Sequence, residues 1–375
     1  MATRNDIERE RIKRLSAWIK GKKMGPVRID IEPTNSCNLK CRFCWTMSGK
    51  RLSSCQYEKT LSEERILEVV HEAQKLGVLE WQIAGGWEPM VKRDLILRMA
   101  KTIKEYEMYG CITTNGTLFS DQIIKKLVQI GWDEILFSLE GPDAKTHDYS
   151  TQVKGSFKKS VWTMKRFNHW KKKFKTDKPK YSFHAVLTNK NYNKLSDMII
   201  LGHKVGCFGV NFEPLSVWSE KGKKLKLNER QRNEVKKHAK KALSFAKKLQ
   251  ITTNAKNLFE PRLIKKDEMD EILKKDVKEE ISILNSPCFE PWLSLEVRVS
   301  GRLAPCRLCD FDSDCDSIIE KSLEEIWFGE YFNNFRNQMM NKNMPPYCYT
   351  CAAGNVVNMK KMRKILMESV NHESA

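Results

Sequence analysis

The chain has 375 residues, 41% of them apolar and 30% charged, with a formal net charge of +20. That balance fits a soluble globular protein with one large domain and a smaller one, and it excludes disordered and fibrous classes. No apolar run approaches the ~20 residues of a membrane span. The start, MATRNDIERERIKRL, lacks the apolar core of a signal peptide, so a cytoplasmic protein with no membrane partner is expected. There, twelve cysteines suit metal ligands or free thiols better than disulfides. Lysine runs at 171–180 and 236–248 admit two readings. One is an acidic partner or an anionic substrate; the other, favoured, is a solvated helical face. No nucleic-acid module accompanies them, so a nucleic-acid partner is not expected.

After an N-terminal extension (1–26), short apolar runs alternate with amphipathic stretches. VRIDIEPT (27–34) reads as a strand. LSEERILEVVHEAQKLG (61–77) reads as a helix, with Thr60 and Glu63 as a capping box and Gly77 as its stop. Strands follow at 79–86, 111–116, 134–141, 181–188 and 207–214, and helices at 93–107, 120–131, 156–173 and 193–206. Six βα-type units within 27–218 predict a parallel sheet with helical crossovers. The fold class is α/β: a partial (β/α)6 barrel, open because a closed one uses eight units. Its lateral mouth suits a large substrate. Gly85, Gly86, Asn115, Ser138, Glu140 and Glu213 fall at the C-terminal strand ends, the edge that carries active sites in such barrels. Residues 219–285 read as a helical linker, 286–354 as a metal-stapled module and 355–375 as a closing helix.

CNLKCRFC (37–44) brings three thiols into one loop. A structural zinc site takes four protein ligands, and so does an ordinary [4Fe–4S] cube. Three thiolates leave one iron open. The loop resembles the C-x3-C-x2-C loop of the radical S-adenosylmethionine (radical SAM) enzymes. That resemblance implies a [4Fe–4S] cluster on Cys37, Cys41 and Cys44, and S-adenosylmethionine chelated at the open iron. It also implies reductive cleavage to a 5′-deoxyadenosyl radical and an electron donor such as flavodoxin or ferredoxin. Phe43 takes the aromatic position near the adenine. A zinc or redox site is the competing reading of the loop alone.

AGGWEP (84–89) resembles the family's GGEP motif, with Trp87 inserted before Glu88 and Pro89. TTNG (113–116) and SLEG (138–141) resemble its third- and fourth-strand segments. By resemblance Gly85, Gly86, Glu88, Pro89, Asn115, Ser138 and Glu140 bind the cofactor.

In the tail, Cys288, Cys306, Cys309, Cys315, Cys348 and Cys351 surround the turn SGRLAPC and a predicted helix at 321–340. This resembles the auxiliary-cluster domains called SPASM (two clusters) and twitch (one). The one-cluster form implies a second [4Fe–4S] cluster on Cys288, Cys306, Cys348 and Cys351, leaving Cys309 and Cys315 as bystanders. A zinc site on CRLC and CYTC competes. Cys55, Cys111 and Cys207 read as ordinary thiols.

An auxiliary cluster favours an oxidation, a dehydrogenation in which it accepts the leftover electron. A peptide or protein maturase of the SPASM type is the alternative, and a non-catalytic iron–sulfur or zinc scaffold on nucleic acid is the alternative of another class. The substrate is thus a small molecule or a peptide. His184 and Glu213 are acid–base candidates by position alone.

Overall fold

The computed structural model describes residues 2–47, 60–259, 282–307, 309, 315–351 and 353–373; the reading of Cys55 lies outside them. Six parallel strands run in chain order across one sheet: β1 (Arg28–Ile31), β2 (Glu80–Ile83), β3 (Tyr109–Thr114), β4 (Glu134–Ser138), β5 (Lys180–Leu187) and β6 (Gly209–Pro214). Helices α2 (Glu63–Lys75), α3 (Arg93–Glu105), α4 (Asp121–Ile130), α6 (Ser156–Lys173) and α7 (Leu195–Val205) make the crossovers.

One strand face explains the packing. Ile29, Ile31, Trp81, Ile83, Ile112, Ile135, Phe137, Phe183 and Ala185 join Val69, Val70, Met99, Ile103, Ile124 and Leu127 of the helices in one buried cluster. Each large aliphatic side chain there contributes about 1.5–3 kcal/mol. The alternate positions face the other way. They carry Asp30, Glu32, Glu80, Gln82, Thr113, Glu134, Ser138, Ser182 and His184, so the barrel lining is polar.

Two sequence expectations change. Helix α2 is capped by Ser62, whose side chain accepts from Arg65 N, not by a box on Thr60. The helix expected at 321–340 is two, Leu323–Trp327 and Glu330–Met340. Gly329, with φ −74° and ψ 178°, is the extended N-cap of the second helix and interrupts the first.

Two elements were not anticipated, and a third, a helix of the expected linker, packs against the barrel. Helix α1 (Arg4–Ile19) closes the N-terminal end of the barrel, where Arg4 Nη1 donates to Glu80 Oε1 and Nη2 to Glu134 Oε2, both at 2.8 Å. Helix α5 (Ala144–Thr151) has almost no apolar periodicity and packs through buried Thr146, His147, Ser150 and Thr151. Helix α9 (Glu229–Leu249), after the short α8 (Glu220–Lys223), lies on α7 through Val235, Ala239, Ala242 and Ala246. The chain beyond it bridges Thr252 to Gly209. Part of the expected linker therefore lines the β6 edge.

The tail hairpin, β7 (Ser294–Val297) and β8 (Leu303–Ala304), does not stand apart. β7 pairs in parallel with β1 over Arg28–Ile31, and β8 runs antiparallel to β7. The sheet order is β6-β5-β4-β3-β2-β1-β7-β8. Among the described residues no helix is long and apolar enough to cross a membrane.

Candidate active site

The loop after β1 carries Cys37, Cys41 and Cys44, all half-buried. It is pinned from several sides. Lys40 N and Arg42 N donate to Thr151 O and Ser150 O at the end of α5 (3.2 and 3.0 Å). Asn38 Nδ2 donates to Thr117 Oγ1 at 2.8 Å, and Ser219 Oγ to Arg42 O at 3.4 Å. The three thiols are electrostatic neighbours. Burial pushes the Cys37 thiol up to about 11, with Glu88 and Cys44 adding to it; burial, Glu140, Cys44 and Cys37 raise Cys41. Unloaded, Cys37 and Cys41 are therefore protonated at neutral pH, and a bound metal must displace their protons. Phe43 lies beside α8, its Cα 3.7 Å from the position a Gly222 Cβ would take.

The glycines of AGGWEP make room beneath this loop. A Cβ on Gly86 would fall 2.3 Å from the Trp45 ring and 2.4 Å from Thr46, just past Cys44. Gly85, at φ +138°, would meet Glu32 at 2.6 Å. Glu88 is 2% exposed and ties three segments together. Its N–H reaches Ser36 O in the cysteine loop (3.1 Å). Its Oε1 accepts from Met90 N (3.0 Å) and Thr114 Oγ1 (2.6 Å), and its Oε2 from Asn115 N (2.7 Å). Burial outweighs these donors and holds the carboxyl at about 6. Of about four acceptor lobes, three are engaged, and the one left belongs to Oε2. Pro89 opens the short turn that leads into α3.

Asn115 closes the network. Its Nδ2 donates to Asn38 Oδ1 (2.9 Å) and its Oδ1 accepts from Thr117 (2.6 and 2.9 Å). Ser138 Oγ lies 3.3 Å from His184 Nε2, and burial lowers His184 to about 4. The imidazole is neutral at pH 7. Glu140 Oε2 accepts from Val186 N (2.8 Å) beside Cys41, and burial raises its carboxyl to about 8, so it is protonated at neutral pH. Glu213 is exposed at the end of β6. The structure thus gathers Cys37, Cys41, Cys44, Gly86, Glu88, Asn115 and Glu140 at one end of the barrel. Asn38, Thr114 and His147, whose Nδ1 accepts from Glu140 N at 3.0 Å, escaped sequence reading. They are single polar residues whose partners lie on other elements.

A second group of thiols flanks the β7–β8 hairpin, Cys288 before it and the others after it. Burial raises Cys288, with Glu290, Cys306 and Cys351 as further neighbours; burial pushes Cys348 up to about 12, with Cys351 and Cys309 adding to it. Cys309, read as a bystander in an acidic loop, is 1% exposed. It accepts from Tyr347 Oη at 3.2 Å. It therefore lies beside the expected ligands, whereas Cys315 meets Arg302 at 4.0 Å. The two thiol groups are joined by buried charge. Arg298 Nη1 donates to Glu32 Oε1 (3.1 Å) and Glu296 Oε1 (2.6 Å), and its Nη2 to Arg307 O (3.1 Å), next to Cys306.

These donor sets fit their groups. Three half-buried thiols in one loop with glycine clearance beneath are the donor type of a cube with one open iron, and the tail thiols are that of an auxiliary cluster; among the described residues no three such side chains yet stand close enough together to hold a metal ion.

Comparisons agree. Residues 31–199 match the radical SAM superfamily, and residues 288–352 match an iron–sulfur cluster-binding domain, SPASM. The PqqA peptide cyclase of Rhizobium meliloti is 22% identical over 335 residues, 87% of this chain and 79% of that protein. The sporulation killing factor maturation protein SkfB of Bacillus subtilis is 28% identical over 145 residues, 38% of this chain and 33% of that protein. A GTP 3′,8-cyclase of Clostridium perfringens is 28% identical over 63% of this chain and 69% of its own length. In fold, the chain resembles Streptococcus suis SuiB bound to S-adenosylmethionine, at TM-score 0.63 and 17% identity, over 90% of this chain and 74% of that one.

Proposed function

From a chain that belongs to the radical SAM superfamily and carries a C-terminal iron–sulfur cluster-binding domain, we propose an enzyme that directs a 5′-deoxyadenosyl radical onto a peptide. The cluster on Cys37, Cys41 and Cys44, when bound, supplies the electron that cleaves S-adenosylmethionine. The rest is the work of the chain. The free lobe of Glu88 Oε2 receives the cofactor's ammonium group, while Met90 N, Thr114 and Asn115 hold the carboxylate still. Protonated Glu140 presents a donor beside Cys41 rather than a second anion. Neutral His184, bonded to Ser138, offers an uncharged polar contact at the mouth. Cys288, Cys306, Cys348 and Cys351 would hold the auxiliary cluster, which would supply an electron acceptor and so favour an oxidation.

The observation that supports a peptide substrate is the likeness to the PqqA peptide cyclase, which spans 87% of this chain. The open barrel mouth accommodates an extended chain. The test is anaerobic incubation of reconstituted enzyme with S-adenosylmethionine, dithionite and the peptides encoded beside its gene, followed by mass spectrometry. Peptide that has lost a hydrogen pair is the expected product. A second reading, dehydrogenation of a small molecule, draws on the polar barrel lining. It predicts 5′-deoxyadenosine formation stimulated by a metabolite extract and by none of the peptides.

A further inference from the structure

A cavity of about 440 Å³, lined by no cysteine, lies at the seam between the end of α1 and the tail helix Glu330–Met340. Its walls include Trp18, Lys23, Trp292, Asn333, Arg336 and Asn337. Arg336 is 3% exposed, and no described carboxylate pairs with it. Its Nε donates to Pro291 O (3.0 Å), and its Nη1 to Trp327 O (2.9 Å) and Asn333 Oδ1 (3.0 Å). Its Nη2 is buried with no hydrogen-bond partner, and so is Trp18 Nε1. The guanidinium lies 5.0 Å from the Trp18 ring centre and 4.4 Å from that of Trp327.

A buried cation without a counter-charge is costly, and so is each buried donor left unmade. Burial alone pushes the Arg336 guanidinium down to about 9. Two residues that line one cavity each carry an unsatisfied donor, and one acceptor between them would satisfy both. A guanidinium selects an oxyanion; Lys23 at the rim adds attraction. Trp18, Trp292 and the nearby Ile19, Ile283 and Met340 supply apolar walls. The volume falls in the range of small-molecule sites.

We propose that this cavity binds a small organic anion, a carboxylate or phosphate on an apolar body, with the oxyanion held by Arg336 Nη2 and Trp18 Nε1. The site is independent of the barrel mouth and stands whether or not the peptide reading holds. Its occupant bridges α1 to the tail domain, so binding stabilises that seam.

The test uses full-length reconstituted protein and three probes: N-acetylphenylalanine, its neutral amide, and phenyl phosphate. Binding is followed by tryptophan fluorescence and calorimetry. At least one anion should bind ten times or more as tightly as the amide, and which one separates carboxylate from phosphate. Trp18→Phe, which removes only the N–H from an aromatic wall, and Lys23→Ala should each weaken anion binding at least threefold. Arg336→Gln should abolish the preference over the amide. Equal binding of amide and anions, wild-type affinity in Trp18→Phe, or no binding by millimolar anion would each overturn the proposal.

Discussion

Replacing Glu88 by glutamine tests the centre of the site. The carboxylate accepts from Met90 N, Thr114 Oγ1 and Asn115 N, and keeps one lobe of Oε2. An amide preserves one oxygen and turns the other into a donor. If the NH2 replaces Oε2, it opposes Asn115 N–H and cannot accept the cofactor's ammonium. If it replaces Oε1, it opposes Met90 N–H, and the remaining oxygen is neutral. Either way, a hydrogen bond to a charged partner is lost, worth ~1.5–3 kcal/mol. At ~1.4 kcal/mol per decade, S-adenosylmethionine affinity should fall roughly tenfold to a hundredfold. The assay is anaerobic calorimetry on reconstituted enzyme between pH 5 and 8. The sign of the pH dependence is diagnostic. Glu88 stands at about 6, so wild-type affinity should weaken as pH falls through that value and the carboxylate gains its proton. The variant should stay flat at its weak level. Wild-type affinity in the variant, or parallel pH profiles, would refute the role given to Glu88.

Cys41→Ala should abolish 5′-deoxyadenosine formation under dithionite; chromatographic detection of continuing cleavage would sink the three-thiol assignment. Wild-type protein should hold ~8 irons as two cubes, and Cys348→Ala with Cys351→Ala should lower this to ~4 while leaving S-adenosylmethionine cleavage intact. Cys309→Ala should retain near ~8 irons but shift the auxiliary cluster's electron paramagnetic resonance spectrum, because the buried thiol neighbours Cys348; a fall in iron would make it a ligand. Arg4→Ala leaves Glu80 and Glu134 without their shared cation. Because Arg4 is half exposed, the loss should be modest, about 1–2 kcal/mol in urea unfolding, and an unchanged midpoint would remove α1 from the barrel's support.

The βα alternation was readable because each strand's outward face is apolar at a two-residue period, as in Ile29 and Ile31 or Ile135 and Phe137. The strand ends were read too long. Glu32, Thr34 and Glu140 are buried polar residues beyond the ladder, and burial by hydrogen bonding mimics the run of a strand. Helix α5 left no trace because its buried side chains are Thr146, His147, Ser150 and Thr151. The cysteine loop was legible because all three thiols lie within eight residues. Its support was not: Asn38 and Thr117 meet the predicted Asn115 only in space. The same holds for Cys309, which the run DFDSD marks as a surface loop while the fold folds its thiol inward against Tyr347.

The pairing of β7 with β1 has a consequence for how the molecule is made. Ile29 is synthesised before its partner Leu295, which follows 266 positions later. At ~5–20 residues per second, one side of β1 waits about 13–53 s on the ribosome for its neighbour. An exposed strand edge of that age is a template for wrong pairing. Its shortness, four residues, and the charges of Arg28 and Asp30 are what make the wait tolerable. A chain cut before β7 would keep that edge for life, so the barrel alone should be recovered from cells as aggregate, however complete its own six strands.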